Sequence, residues 1–119
     1  MRLIRKKAVI KALGRPPKRI EEFVGAASAG VRNVSIARMK SPAGWSEPGQ
    51  TPDFDEYSVV LKGALKIKTR SGTALAKSGQ SVMMPRGKWV QYSTPVKSEY
   101  ISACIPAFTP AGAHRDENR

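Results

Sequence analysis

The chain has 119 residues, enough for one domain around a single core. Its 40% apolar content places it among globular chains, and no apolar run approaches the ~20 residues needed to span a bilayer. The net charge of +12 is uneven: residues 1–20 hold eight Lys/Arg and no acid, whereas residues 41–60 hold Glu47, Asp53, Asp55 and Glu56 and no base.

The basic start, Met1 to Lys7, runs into Ala8, Val9 and Ile10 and at once into Lys11, so no signal-peptide core develops and a cytoplasmic location is expected. Gly14, Pro16 and Pro17 interrupt this first segment, whose apolar residues fit an amphipathic helix or a short strand equally well. Val31 to Met39, with Val34 and Ile36, reads as a strand, and Ser41, Pro42, Gly44, Pro48 and Gly49 supply loop chemistry after it. Tyr57 to Lys62 is an apolar run that stops at Gly63. Leu65, Ile67 and Thr69 then alternate with Lys66, Lys68 and Arg70, the period-two pattern of a strand with one wet face. Short strands follow over Thr73 to Ala76, Ser81 to Met84, Lys88 to Ser93 and Glu99 to Ile105, separated by turns at Ser71-Gly72, Gly79 and Pro85-Gly87. Such spacing argues for an all-β sandwich or barrel without a central helix. The domain divides into a basic N-terminal segment (1–30), a β-barrel core (31–105) and an irregular tail (106–119) that lies across the barrel or a partner subunit.

Glu47 to Pro95 resembles the cupin superfamily. Glu56 is followed after six residues by Gly63, and Gly79, Pro85 and Gly87 reproduce the Gly-x5-Pro-x-Gly opening of the second cupin motif. Trp45 to Tyr57 and Tyr100 to Glu117 are also similar to a group of small bacterial cupins of undefined role. The resemblance implies a double-stranded β-helix, or jelly-roll barrel, with its site inside and often in a homodimer. Metal-binding cupins carry His-x-His shortly before the Glu and a further His after the second Gly. In this sequence those positions are Gln50 and Pro52 (or Gly49 and Thr51) and Val90. Of the usual ligand set only Glu56 remains, so the expectation is no metal and no cofactor.

Glu56 is the leading candidate, placed by the resemblance at the barrel pocket, where a buried carboxylate must be paired, ligated or protonated. It could serve as a metal ligand, as a general acid or base or as a hydrogen-bond anchor for a ligand, or sit in a structural salt bridge or hydrogen bond. Glu47, Gln50 and Asp53 precede it at intervals of three and are candidate ligand-binding residues, while Asp55 is expected at the surface. Tyr92 should share the inward face of Val90, with Trp89 opposite. Met83, Met84, Phe108 and the lone Cys104 read as core residues, and His114 as exposed.

The function expected is binding of an undefined small molecule, with or without non-metal isomerase- or lyase-type catalysis by Glu56. A basic nucleic-acid-associated protein, with the barrel as scaffold, is the alternative. It is less favoured, because the first twenty residues lack the interleaved aromatics of a single-strand binder.

Overall fold

The structure, a computed structural model, describes residues 1–117. Ten strands follow in order: β1 (Ala8–Ile10), β2 (Arg19–Val24), β3 (Ser35–Ser41), β4 (Trp45–Ser46), β5 (Asp55–Lys62), β6 (Ala64–Thr69), β7 (Gly72–Lys77), β8 (Ser81–Met84), β9 (Val90–Thr94) and β10 (Ser98–Ile105). Two four-residue helices, α1 (Ala26–Ala29) and α2 (Pro110–Ala113), complete the elements. The strands form a six-stranded sheet, β1-β2-β3-β10-β5-β8, and a four-stranded sheet, β4-β9-β6-β7, with antiparallel pairing throughout. This is the expected all-β jelly-roll architecture. The larger sheet takes in two strands from the first 30 residues, so it reaches beyond 31–105. No helix among the described residues is long and apolar enough to cross a membrane.

The motif spacing has a backbone cause. Gly63 turns the chain between β5 and β6 at φ 80°, and a Cβ there would collide with the Lys97 carbonyl oxygen. Gly87, at φ 79°, donates its N–H to the Pro52 carbonyl at 2.8 Å and so ties the second motif to the loop before the first.

Trp45, Val60, Leu65, Ile67, Ala76, Val90, Tyr92 and Tyr100 pack between the sheets, with Met39, Val82 and Met84 against them. A smaller cluster of Phe54, Cys104 and Ala113, joined by Phe108, lies under the C-terminal tail. Met83 departs from the expected core role. Val82 and Met84 face inward on β8, which turns Met83 outward, 61% exposed.

The inner face of the larger sheet explains why the barrel is not filled. One row across its strands, Val60, Tyr100, Met39 and Ile20, is bulky. The next, Ser58, Ser102, Ala37 and Glu22, carries three small side chains, and the row beyond sets Glu56 beside Cys104 and Ser35. Small residues in the middle row leave space over the floor, with the Glu56 carboxyl at its edge.

Candidate functional site

The resulting cavity has a volume of about 50 Å³, room for a few water molecules or a ligand of few non-hydrogen atoms. β5 contributes Glu56 and Ser58; β10 contributes Tyr100, Ser102 and Cys104; and β9 contributes Tyr92. Glu47 and Gln50 enter from the loop before β5, Lys18 from the loop before β2, and Arg115 from the tail.

Three polar atoms at this cavity are buried without a hydrogen-bond partner among the described residues: Glu56 Oε1, Gln50 Oε1 and the Tyr92 hydroxyl. Folded proteins leave few such atoms, because each unmade hydrogen bond costs about 1–3 kcal/mol. Their convergence on one small space gives it three free hydrogen-bonding atoms that a water or a small polar molecule could engage. Burial, and then repulsion from Glu47, pushes the Glu56 carboxyl up to about 7, against the opposing influence of Tyr92, Lys18 and Ser102. The Tyr92 hydroxyl is close enough to be felt electrostatically yet lies outside hydrogen-bond geometry. Burial and the Glu56 charge raise its own titration well above the usual range. Glu22, another buried carboxylate on this cavity, differs in kind: its Oε2 accepts the Ser28 N–H at 2.8 Å.

Glu47 is 8% exposed, and its Oε2 accepts a hydrogen bond from Arg115 Nη1 at 2.8 Å. Gln50 exchanges two backbone hydrogen bonds with Val90, both 2.9 Å, so one of the candidate first-motif histidine positions faces the second-motif position directly. The tail runs beside the same loop: Asp53 N–H bonds to Gly112, Thr51 to His114, and Asp116 back to Gly49. Part of the tail expected to be irregular is therefore a strap that delivers Arg115 to the cavity; residues 118–119 lie outside the described residues.

Asp53 is not brought to this cavity. Its side chain is 69% exposed and its Oδ2 lies 2.6 Å from His114 Nε2 on the outside of the strap. A three-residue interval keeps residues on one face only in a helix, and the loop around Pro52 is not helical. Asp55 points away from Glu56 and accepts hydrogen bonds from the Arg86 backbone and guanidinium, which hold its carboxyl low. Trp89 stacks under Arg70, covers Gly49 and donates to Asp116 at 2.9 Å, away from the cavity. The Cys104 thiol lines the cavity but burial pushes its titration up, away from thiolate chemistry.

Lys18 escaped the sequence reading. Its Nζ donates to the Tyr100 hydroxyl at 2.9 Å and stands 3.6 Å from the centroid of the Trp45 ring. Burial draws its titration down to about 8, while Glu47 and Glu56 pull the other way. The signal for it was period two: with Ile20 inward on β2, Lys18 and Glu22 share its face, and Arg19 and Glu21 take the other. On that other face, hydrogen bonding to Lys7 leads the effects that hold the Glu21 carboxyl down to about 2, with Arg19 and Lys40 adding to it.

This donor set does not fit the metal that the fold holds elsewhere. Among the described residues no group of three or more His, Cys, Asp or Glu gathers to hold an ion. The Glu47 carboxylate is taken by Arg115, and the Lys18 ammonium would oppose a second cation in the same space. Purified protein dialysed against chelator-free buffer should contain less than a tenth of an equivalent of iron, manganese or zinc by elemental analysis. One tightly held equivalent would contradict this assignment.

A family model described as "Ethanolamine utilisation protein EutQ" matches residues 37–109, well over half of the chain. The chain is 46% identical over 101 residues to a Myxococcus xanthus protein named "Endoribonuclease YbeY", covering 83% of this chain and 34% of that protein. It is 30% identical over 57 residues to a Salmonella typhimurium protein named "Acetate kinase EutQ", covering 48% and 25% respectively. The chain thus spans only about a quarter to a third of the length of these curated relatives. The crystal structure of a putative ethanolamine utilization protein Q from Salmonella typhimurium superposes with a TM-score of 0.68 at 16% identity, over 87% of this chain and 98% of that one.

Proposed function

Because this chain belongs to the EutQ family of cupins, we propose that its barrel binds one small polar molecule through Glu56, whose carboxyl holds or exchanges a proton near neutral pH. The observation that carries this reading is the set of three unpartnered buried atoms, on Glu56, Gln50 and Tyr92, around a cavity that small side chains keep open. The names of the relatives concern ethanolamine and acetate, compounds of a size such a cavity admits. As an enzyme the site would work by acid-base chemistry: a carboxyl titrating near 7 can both give and take a proton at cellular pH, with Gln50 and Tyr92 orienting the substrate.

The test is a thermal-shift panel of two- to four-carbon acids, amines, alcohols and carbonyl compounds against the wild type and Ser102→Leu, which fills the floor beside Ser58. Compounds present at a hundredfold their Kd should stabilise the wild type by about 2.7 kcal/mol and leave the filled variant unmoved. Equal stabilisation of both proteins, or of neither, would overturn the reading.

A homodimer is the proposed assembly. Met83, Tyr57, Ala103 and Ile36 form one outward row across the larger sheet, beside Val59 and Ile101 in the next. Met83, Tyr57, Ile36 and Val59 are all exposed, an apolar patch of the kind that a second copy covers. Light scattering should give twice the chain mass, and Val59→Lys the mass of one chain; a wild-type monomer at all concentrations would refute it.

The nucleic-acid reading gains one observation, the likeness to a protein named as an endoribonuclease. Against it, Lys7, Lys18 and Arg19 of the basic segment are engaged with Glu21 or Tyr100 rather than free for phosphates. Binding of generic RNA that weakens steeply with added salt would favour this reading over the pocket.

A further inference from the structure

Resting on the reading of the barrel as a small-molecule site, we propose that Lys18 forms a covalent imine with a small carbonyl compound, an aldehyde or 2-oxo acid, and that Glu56 carries the protons of that step. The geometry supplies the parts. Lys18 reaches from the loop before β2 into the same cavity as Glu56, and its Nζ is fixed by the Tyr100 hydroxyl at 2.9 Å and by the Trp45 ring at 3.6 Å. No salt bridge to a carboxylate holds it as an ammonium among the described ion pairs, all of which involve other residues. Its titration near 8 leaves about a tenth of it as free amine at pH 7, against less than about a thousandth of an ordinary lysine.

In the step, the Nζ lone pair attacks the carbonyl carbon and the C=O π pair moves onto oxygen. Protonated Glu56 gives that oxygen its proton and takes one from nitrogen, which leaves a neutral carbinolamine. The C–O bond then breaks as Glu56 passes its proton to the leaving hydroxyl. Water departs, the nitrogen lone pair closes the C=N bond, and the products are a Lys18 iminium and a Glu56 carboxylate. The new cation and the new anion face each other in one cavity, so the charge formed on each side stabilises the other.

The experiment incubates the full chain with glyoxylate, and separately with propanal, at pH 7. Borohydride reduces any imine, and the adducts are mapped by peptide mass spectrometry. The expected result is at least tenfold more adduct on Lys18 than on any other lysine, lost in Lys18→Arg, and formed about tenfold more slowly in Glu56→Gln at the same position. Mapping of the wild type needs no variant, so the result stands even where Lys18→Arg folds poorly. Labelling spread over the lysines in proportion to exposure would overturn the inference, as would an unchanged trapping rate in Glu56→Gln. Thermal stabilisation by either probe without a trapped Lys18 adduct would overturn the covalent step and leave the binding reading intact.

Discussion

Replacing Glu56 with glutamine should make this protein more stable at pH 8, by about 2–3 kcal/mol, while small-molecule binding falls sharply. The sign follows from the titration of the carboxyl. Its folded value of about 7 lies above the ordinary value of 4.5, so the folded state holds this proton more tightly than the unfolded chain does. Stability is therefore full below about pH 4.5, declines between 4.5 and 7, and stays reduced above. The 2.5-unit difference corresponds to about 3 kcal/mol at 1.36 kcal/mol per unit. Glutamine keeps the volume, removes the buried charge and abolishes that decline. Lys18 produces the opposite slope in another window, since its lowered value costs stability below about pH 8 and returns it as pH rises towards 10.5. Denaturant melts of both proteins across pH 4–8 measure the effect. A structural ion pair at Glu56 would reverse the sign, with glutamine costing several kcal/mol. No such pair exists among the described residues, so removing the charge is expected to stabilise the fold.

Arg115→Met should have the largest destabilising effect of any change in the site, about 3 kcal/mol. Arg115 and Glu47 are 18% and 8% exposed and share a 2.8 Å contact, so removing the guanidinium strands a carboxylate inside the barrel. Breaking a buried pair on one side costs about 3–5 kcal/mol, and the partial exposure of the arginine places this case at the lower end. Adding Glu47→Gln to the variant should recover at least half of the loss, because glutamine at that position carries no charge to strand. The urea midpoint of the three proteins decides the matter. A loss below about 1 kcal/mol for Arg115→Met would show that this pair does not hold the strap in place.

Most of the barrel could be read from the chain, because β5 to β10 carry alternating patterns bounded by Gly and Pro turns, and the motif glycines Gly63 and Gly87 sit where the backbone needs positive φ. The first thirty residues were ambiguous for a physical reason. β1 has three residues and β2 six, too short for period two to be told from a helical face, and what joins them to the barrel is the pairing of β2 with β3, which local sequence does not reveal. Glu56 and Tyr92 line the cavity because motif spacing and strand alternation fix their direction, whereas Glu47 and Gln50 are loop residues held to it by backbone bonds to Tyr92 and Val90. Asp53 failed because loop residues have no period to extrapolate. Lys18 and Arg115 reach the cavity from opposite ends of the chain, through a bend at Pro16 and a strap beyond α2, and charge alone made them look like solvated surface. The row of small residues, Ser58, Ser102 and Ala37, was present in the strand patterns, yet only their register across three strands shows that they open one cavity.

Beneath all of this lies a Glu56 carboxyl that sits unpaired at the cavity and should change its charge near neutral pH. Carbon-13 NMR of the labelled Glu56 side-chain carboxyl across pH 3–9, in the full chain without added ligand, measures that directly. The expected midpoint is about 7 and rises further in Lys18→Met, where the nearby cation is gone. A midpoint near 4.5, unmoved by Lys18→Met, would mean that the carboxyl is solvated or paired and would contradict the account.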